Sequence, residues 1–285
     1  MQAGQPSLTA RSAAAHRAAH QLLEHGRIFK DPLAVPILGE DPDTIMREAE
    51  ESPSRRRMRL FIAVRTRFAE DSLAAAVERG VRQLVVLGAG LDTYAYRSPF
   101  GDRLRIFEVD HPSTQHWKRN RLKDAAIQIP SWLTFAPVDF ETQTLSAGLT
   151  SAGFDPARQT FFTWMGVVPY ITEAAVWSTL EFIVSLPNGA HVVFDYANPP
   201  DSLPPETRAE HEVRAARVSA LGEPWITYFD TSDLRARLSA LGFTEVEDLG
   251  PRDIRSRCFP NAPGTPPASG GHILRASTRF RCRCR

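Results

Sequence analysis

Apolar positions follow two regimes along this chain, and the change comes near Gly80. Upstream, Leu60, Val64, Phe68, Leu73 and Val77 recur near helical spacing, which predicts a helix from about Arg56 to Arg79 with Gly80 as its stop. Ahead of it, Ala10 to His25 is rich in Ala, Arg and Leu, with no Pro or Gly before Gly26, and reads as a helix. Asp31-Pro32 opens a short element, Leu33 to Leu38, and the polar stretch Glu40 to Ser54 reads as a bridge to the long helix. Downstream, short continuous apolar runs mark buried parallel strands: Leu84 to Leu87, Arg105 to Val109, Leu133 to Val138, Thr160 to Met165 and His191 to Asp195. Between them, His116 to Ala126, a stretch after Thr142, and Thr172 to Val184 read as helices, with Thr172 as an N-cap. A proline-rich break at Pro199 to Pro205 is followed by helices at Glu206 to Leu221 and Thr231 to Leu241, the second ended by Gly242. Thr244 to Leu249 and His272 to Ala276 are candidate closing strands, separated by a Pro/Gly-rich loop. From Ser277 onward the chain reads as a disordered basic tail. Strands alternating with helices predict an α/β fold, a mainly parallel sheet with helices on both faces. The expected organisation is a helical segment over 1–80, a core over 81–276 with an insert near 199–225, and a tail over 277–285.

Composition narrows the picture. A chain of 285 residues, 42% apolar and 24% charged, can bury a sizeable core without disulfides or a metal. Its net charge of +1 speaks against a general nucleic-acid binder and gives no electrostatic case for a membrane surface. The three cysteines, Cys258, Cys282 and Cys284, have no zinc-finger spacing and suit a reducing cytoplasm better than a disulfide framework. Neither a signal-peptide core near Met1 nor an apolar run of about 18 residues is evident, so a cytoplasmic chain is expected.

Four predicted strand ends carry chemistry, where open α/β sheets bind ligands. The first is Gly88-Ala89-Gly90-Leu91-Asp92, whose glycines let a turn pass close under a ligand. A dinucleotide fingerprint needs a third Gly where Thr93 stands, and no phosphate-binding P-loop is present. The second is Glu108-Val109-Asp110, with Asp110 placed to accept hydrogen bonds from both hydroxyls of a ribose and Glu108 better read as half of an internal ion pair. The third is Val138-Asp139-Phe140: Asp139 can accept from an adenine amino group and Phe140 can stack on the base, the alternative being a helix cap by Asp139. The fourth runs from Thr163 to Tyr170, where Gly166 permits close approach and Trp164, Pro169 and Tyr170 form either pocket walls or a core corner.

Together these residues resemble the leucine carboxyl methyltransferase family, in particular its bacterial, actinobacterial-type branch of S-adenosylmethionine-dependent enzymes. The resemblance covers roughly Ser7 to Leu249, returning weakly at Gly271 to Ala276. It is carried by Phe29-Lys30-Asp31-Pro32, Ala63-Val64-Arg65-Thr66-Arg67-Phe68, Leu87 to Thr93, Phe107 to Pro112, Val138-Asp139-Phe140 and Trp164 to Thr172. It implies a seven-stranded, Rossmann-like methyltransferase sheet with an N-terminal helical lid, about residues 8 to 38, and S-adenosylmethionine as cofactor. It further implies that Gly88 and Gly90 lie under the methionine part, Asp110 takes the ribose, Asp139 and Phe140 take the adenine, and Met165 and Gly166 border the site. Arg65 matches an arginine that pairs with the cofactor carboxylate, a role suited to a guanidinium fork, with Arg67 as the close alternative. Many relatives carry Glu where this chain has Met165, which removes one contact to the cofactor's amino group. The segment Arg252 to Gly270 and the Cys-Arg-Cys tail depart from the family.

A carboxylate acceptor is already an anion at neutral pH and needs no general base. A hydroxyl acceptor needs one, and His111, Asp195 and Tyr196, at or just past strand ends, are the candidates, against a capping or packing role for a lone His. The function expected is methylation of an oxygen, carboxyl or hydroxyl, on a small molecule. A nicotinamide-dependent oxidoreductase and a non-catalytic cofactor-binding protein are the alternatives.

Overall fold

The computed structural model describes residues 7–50, 53–139, 142–262, 264–266 and 269–279. The chain opens with α1 (Leu8–Leu23), α2 (Ala34–Leu38), α3 (Pro42–Glu50) and α4 (Pro53–Glu78). It continues through β1 (Gln83–Leu87), α5 (Tyr94–Arg97), β2 (Arg105–Asp110), α6 (Pro112–Asp124), β3 (Leu133–Pro137), α7 (Leu145–Ser151) and β4 (Thr160–Trp164). Then come α8 (Glu173–Ser185), β5 (Ala190–Ala197), α9 (Pro205–Ala220), α10 (Thr231–Leu241), β6 (Phe243–Leu249), α11 (Pro251–Cys258) and β7 (Gly271–Thr278).

The described residues form one seven-stranded sheet in the order β3-β2-β1-β4-β5-β7-β6. β1 to β5 pair in parallel, and β7 runs antiparallel to both β5 and β6. This is the α/β, seven-stranded sheet expected from the sequence, with helical segments ahead of it. Its strand order reverses between β1 and β4, the switch point where such sheets open a crevice. Register brings the strand ends level there: Leu87 pairs with Val109, Asp110 with Pro137, and Trp164 with Phe194.

Every residue of β1 is buried, because side chains alternate between two covered faces. Val85, Phe107, Phe162 and Val192 point to the face packed by Leu180 and Ile183 of α8. Leu84, Ile106 and Phe161 point to the other face, covered by Val64, Leu73 and Val77 of α4. A third cluster lies under the N-terminal helices, where Ala14 and Ala18 of α1 meet Ile37 of α2, Ile45 of α3 and Leu91 after β1.

Among the features that differ from the sequence reading, three have a local physical cause. Within the polar stretch Glu40 to Ser54 lies α3: Asp41 accepts from the Thr44 amide at 3.0 Å, and Ile45 and Ala49 bury one turn apart. One such pair is too short a pattern to show periodicity. The Pro/Gly-rich stretch after Leu249 contains α11, capped where Asp253 accepts from the Gly250 amide at 3.2 Å and anchored by buried Ile254. β7 also takes in Ser277 and Thr278, read as the start of the tail. Polar side chains hold them: the Ala190 amide donates to Thr278 Oγ1 at 2.9 Å, and Ser277 Oγ lies 2.7 Å from His191 Nδ1. Phe140, Cys282 and Cys284 fall outside the described residues.

Candidate functional site

A cavity of about 1330 Å³ opens at the switch point, beyond the carboxyl ends of β1 to β4. Its floor is the turn after β1. Gly88 and Gly90 sit at φ +64° and +45°, in the left-handed region open to glycine. A Cβ on Gly90 would come 2.9 Å from Ala10 Cβ of α1, so the turn and the first helix meet there. Asp110, at the end of β2, fixes this turn: Oδ2 accepts from the Gly90 amide at 2.6 Å and Oδ1 from the His111 amide at 2.7 Å. Burial pushes its carboxyl above the usual range, against the pull of those two amides. Each oxygen keeps a second lone pair for a ligand. Asp139 lines the cavity past β3.

The opposite wall follows β4. Met165 lines the cavity and packs against the core on the α4 face. Gly166 sits at φ +72°, and a Cβ there would lie 2.8 Å from Arg65 Nη2. Arg65 comes from α4, lines the cavity and is 8% exposed. Its Nη1 donates to Asp195 Oδ2 at 2.6 Å, and its Nε is buried without a hydrogen-bond partner. Arg67, the sequence alternative, is exposed and pairs along the helix with Asp71 at 2.7 Å, outside the cavity lining.

Thr93 explains the missing third glycine. It is fully buried, and its Oγ1 donates to Asp31 Oδ2 at 2.7 Å. The Asp31-Pro32 motif is thereby tied to the turn after β1. Arg17 of α1 also lines the cavity, donating to the Leu91 carbonyl at 2.5 Å and lying 3.6 Å from Asp31. A hydroxyl committed in this way takes the place a dinucleotide turn gives to glycine, so the nicotinamide reading finds no support here.

The sequence profile of the leucine carboxyl methyltransferase family matches residues 10–184. The chain belongs to that family. Among its relatives is Putative S-adenosyl-L-methionine-dependent methyltransferase YktD of Bacillus subtilis, 39% identical over 202 residues, covering 69% of this chain and 65% of the relative. A protein of the same description from Mycolicibacterium smegmatis is 30% identical over 240 residues, covering 79% of this chain and 74% of that protein. The chain spans about two thirds or less of the length of the first two relatives, 65% and 57%. A solved structure of a possible exported protein from Bordetella parapertussis shares the fold at a TM-score of 0.51, with 13% identity over 95% of this chain and 96% of that one.

In this leucine carboxyl methyltransferase family member, the three base candidates are otherwise engaged. His111 is the N-cap of α6, its Nδ1 accepting from the Ser113 amide at 3.2 Å, so the ring's acceptor serves the helix. Asp195 spends Oδ2 on Arg65 and Oδ1 on the Gly166 amide at 2.5 Å. Tyr196 is directed away from the cavity: its hydroxyl donates to Asp248 at 2.6 Å, and burial pushes its ionisation well above the ordinary phenol range. Glu108 forms the expected internal ion pair, with Lys118 Nζ at 2.7 Å. Burial pushes its carboxyl up to about 7, against the lysine's charge.

Sequence reasoning missed Glu223. Placed between α9 and α10, it lines the cavity, and its carboxylate accepts from the Leu8 amide at 3.0 Å, the Thr9 amide at 3.1 Å and Ser7 Oγ at 3.1 Å. It caps the start of α1, and no local pattern marks it. Arg17 had a signal: a charged residue amid the buried alanines Ala14, Ala18 and Ala19.

Proposed function

We propose that this chain transfers a methyl group from S-adenosylmethionine to a carboxyl oxygen of a small molecule. Asp110 carries the reading: a half-buried carboxylate at the end of β2, fixed by the glycine turn and retaining lone pairs for two ribose hydroxyls. Asp139 suits the adenine amino group, and the guanidinium of Arg65, which lines the cavity, suits the cofactor carboxylate. The cavity exceeds the roughly 300–1,000 Å³ usual for one small ligand, so cofactor and acceptor fit together. Family membership and the descriptions of YktD and the mycobacterial relative support the methyl-transfer part of the proposal.

S-adenosylmethionine, when bound, supplies a methyl activated on sulfonium sulfur. The chain's own residues bind, orient and exclude water. Helix α1 covers one side of the cavity through Thr9, Ala13 and Arg17. A carboxyl acceptor is favoured because His111, Asp195 and Tyr196 are each committed elsewhere, and a carboxylate needs no proton removed. The test uses methyl-labelled S-adenosylmethionine with a metabolite extract. The expected product is a methyl ester that releases labelled methanol in mild alkali. A labelled product stable to alkali would assign an ether or amine instead.

A further inference from the structure

Arg65 and Gly166 meet at one buried carboxylate that the cavity does not reach. Asp195 is 5% exposed and lies in the second half of β5, one residue past Phe194, the register partner of Trp164. That register sets it beside the turn after β4. Oδ1 accepts from the Gly166 amide at 2.5 Å and Oδ2 from Arg65 Nη1 at 2.6 Å. The guanidinium is thus held against Gly166, where any side chain would displace it: an added Cβ would stand 2.8 Å from Nη2 and 3.1 Å from Nη1. Phe61 lies on the same side chain, its ring centroid 6.0 Å from Arg65 Cζ. With Nη1 tethered, Nη2 is the terminal nitrogen set against Gly166, which lines the cavity. A guanidinium carries five donors in one plane, so fixing one nitrogen fixes the direction of the others.

We infer that Asp195 is a positioning residue for cofactor selection: it aims Arg65 at the carboxylate of the methionine moiety and makes the site discriminate ligands that carry this group from those that do not. The inference rests on the reading of Arg65 as a carboxylate partner. Asp195 touches neither ligand nor reacting atoms and acts through Arg65 and the Gly166 amide. A plain charge-neutralising role would affect all ligands of the cavity alike.

Titration calorimetry with two ligands separates these roles. S-adenosylhomocysteine carries the amino-acid moiety, whereas methylthioadenosine keeps the nucleoside and lacks it. In Asp195→Asn, the amide oxygen still accepts from Gly166, but the amide NH₂ faces the Arg65 donor and pushes it off line. The expected result is about tenfold weaker S-adenosylhomocysteine binding, the scale of one charge-assisted hydrogen bond, with methylthioadenosine within about twofold of wild type. Arg65→Ala should lose the same discrimination or more. Equal losses for both ligands in Asp195→Asn, or no loss for either, would overturn the role of Asp195. If Arg65→Ala leaves the discrimination intact, the reading of Arg65 itself fails, and the inference with it. Should Asp195→Asn be too unstable to assay, Asp195→Glu keeps the charge, shifts it by one methylene and carries the same prediction.

Discussion

Single side chains in this protein are held by partners far away in sequence. Asp110 is locked by the Gly90 amide across the site, and Thr93 is locked by Asp31, between α1 and α2. His191, on β5, shows what burial does to a titratable group. It is 3% exposed, and burial, followed by the charges of Arg79 and Arg275, lowers its pKa from 6.5 to about 4. Unfolded, it takes a proton near 6.5; folded, it does not until about 4. The unfolded chain therefore binds more protons in that window, and stability falls as pH drops from 6.5 toward 4. The shift corresponds to about 3 kcal/mol from this residue. His16 is shifted the same way, to about 4, by burial and nearby arginines. Denaturant melts at pH 7 and pH 4.5 should show a smaller acid loss in His191→Gln than in wild type. An identical loss would remove His191 from the account.

Strand ends and helix starts do most of the placing. The central parallel strands are legible because burial on both faces leaves continuous apolar runs, as in Val85-Val86-Leu87. Gly88, Gly90 and Asp110 were legible because they follow those runs directly. Contacts that close the site were not. Asp195 and Arg65 stand 130 positions apart, and Glu223 and Ser7 stand 216 apart; neither pair leaves a local signature. The helices α3 and α11 leave no periodic pattern because each rests on only one or two buried apolar residues. Glu223 nevertheless has a testable role at this scale. Its carboxylate adds to Ser7 in capping α1, where negative charge also favours the helix dipole. Glu223→Ala should raise hydrogen exchange at the Leu8 and Thr9 amides by about tenfold, the effect of losing a cap of about 1–2 kcal/mol, while the β1 to β5 amides keep their protection. Unchanged exchange at α1 would rule out the latch.

The whole molecule is a sheet whose switch point opens under a helical cover. The ties that hold the cover include Ala10 against Gly90, Arg17 to the Leu91 carbonyl, Asp31 to Thr93, and Glu223 at the start of α1. No helix among the described residues is long and apolar enough to cross a membrane. Cofactor identity is the claim on which the site, the cover and the inference about Asp195 all depend. It is tested most directly by titrating S-adenosylhomocysteine and, separately, NADH into the wild-type chain and into Asp110→Ala. The account predicts that wild type binds S-adenosylhomocysteine and not NADH, and that Asp110→Ala weakens this binding by about 1–3 kcal/mol, the scale of hydrogen bonds lost from a charged group. Tight NADH binding without S-adenosylhomocysteine binding, or an Asp110→Ala affinity equal to wild type, would contradict it.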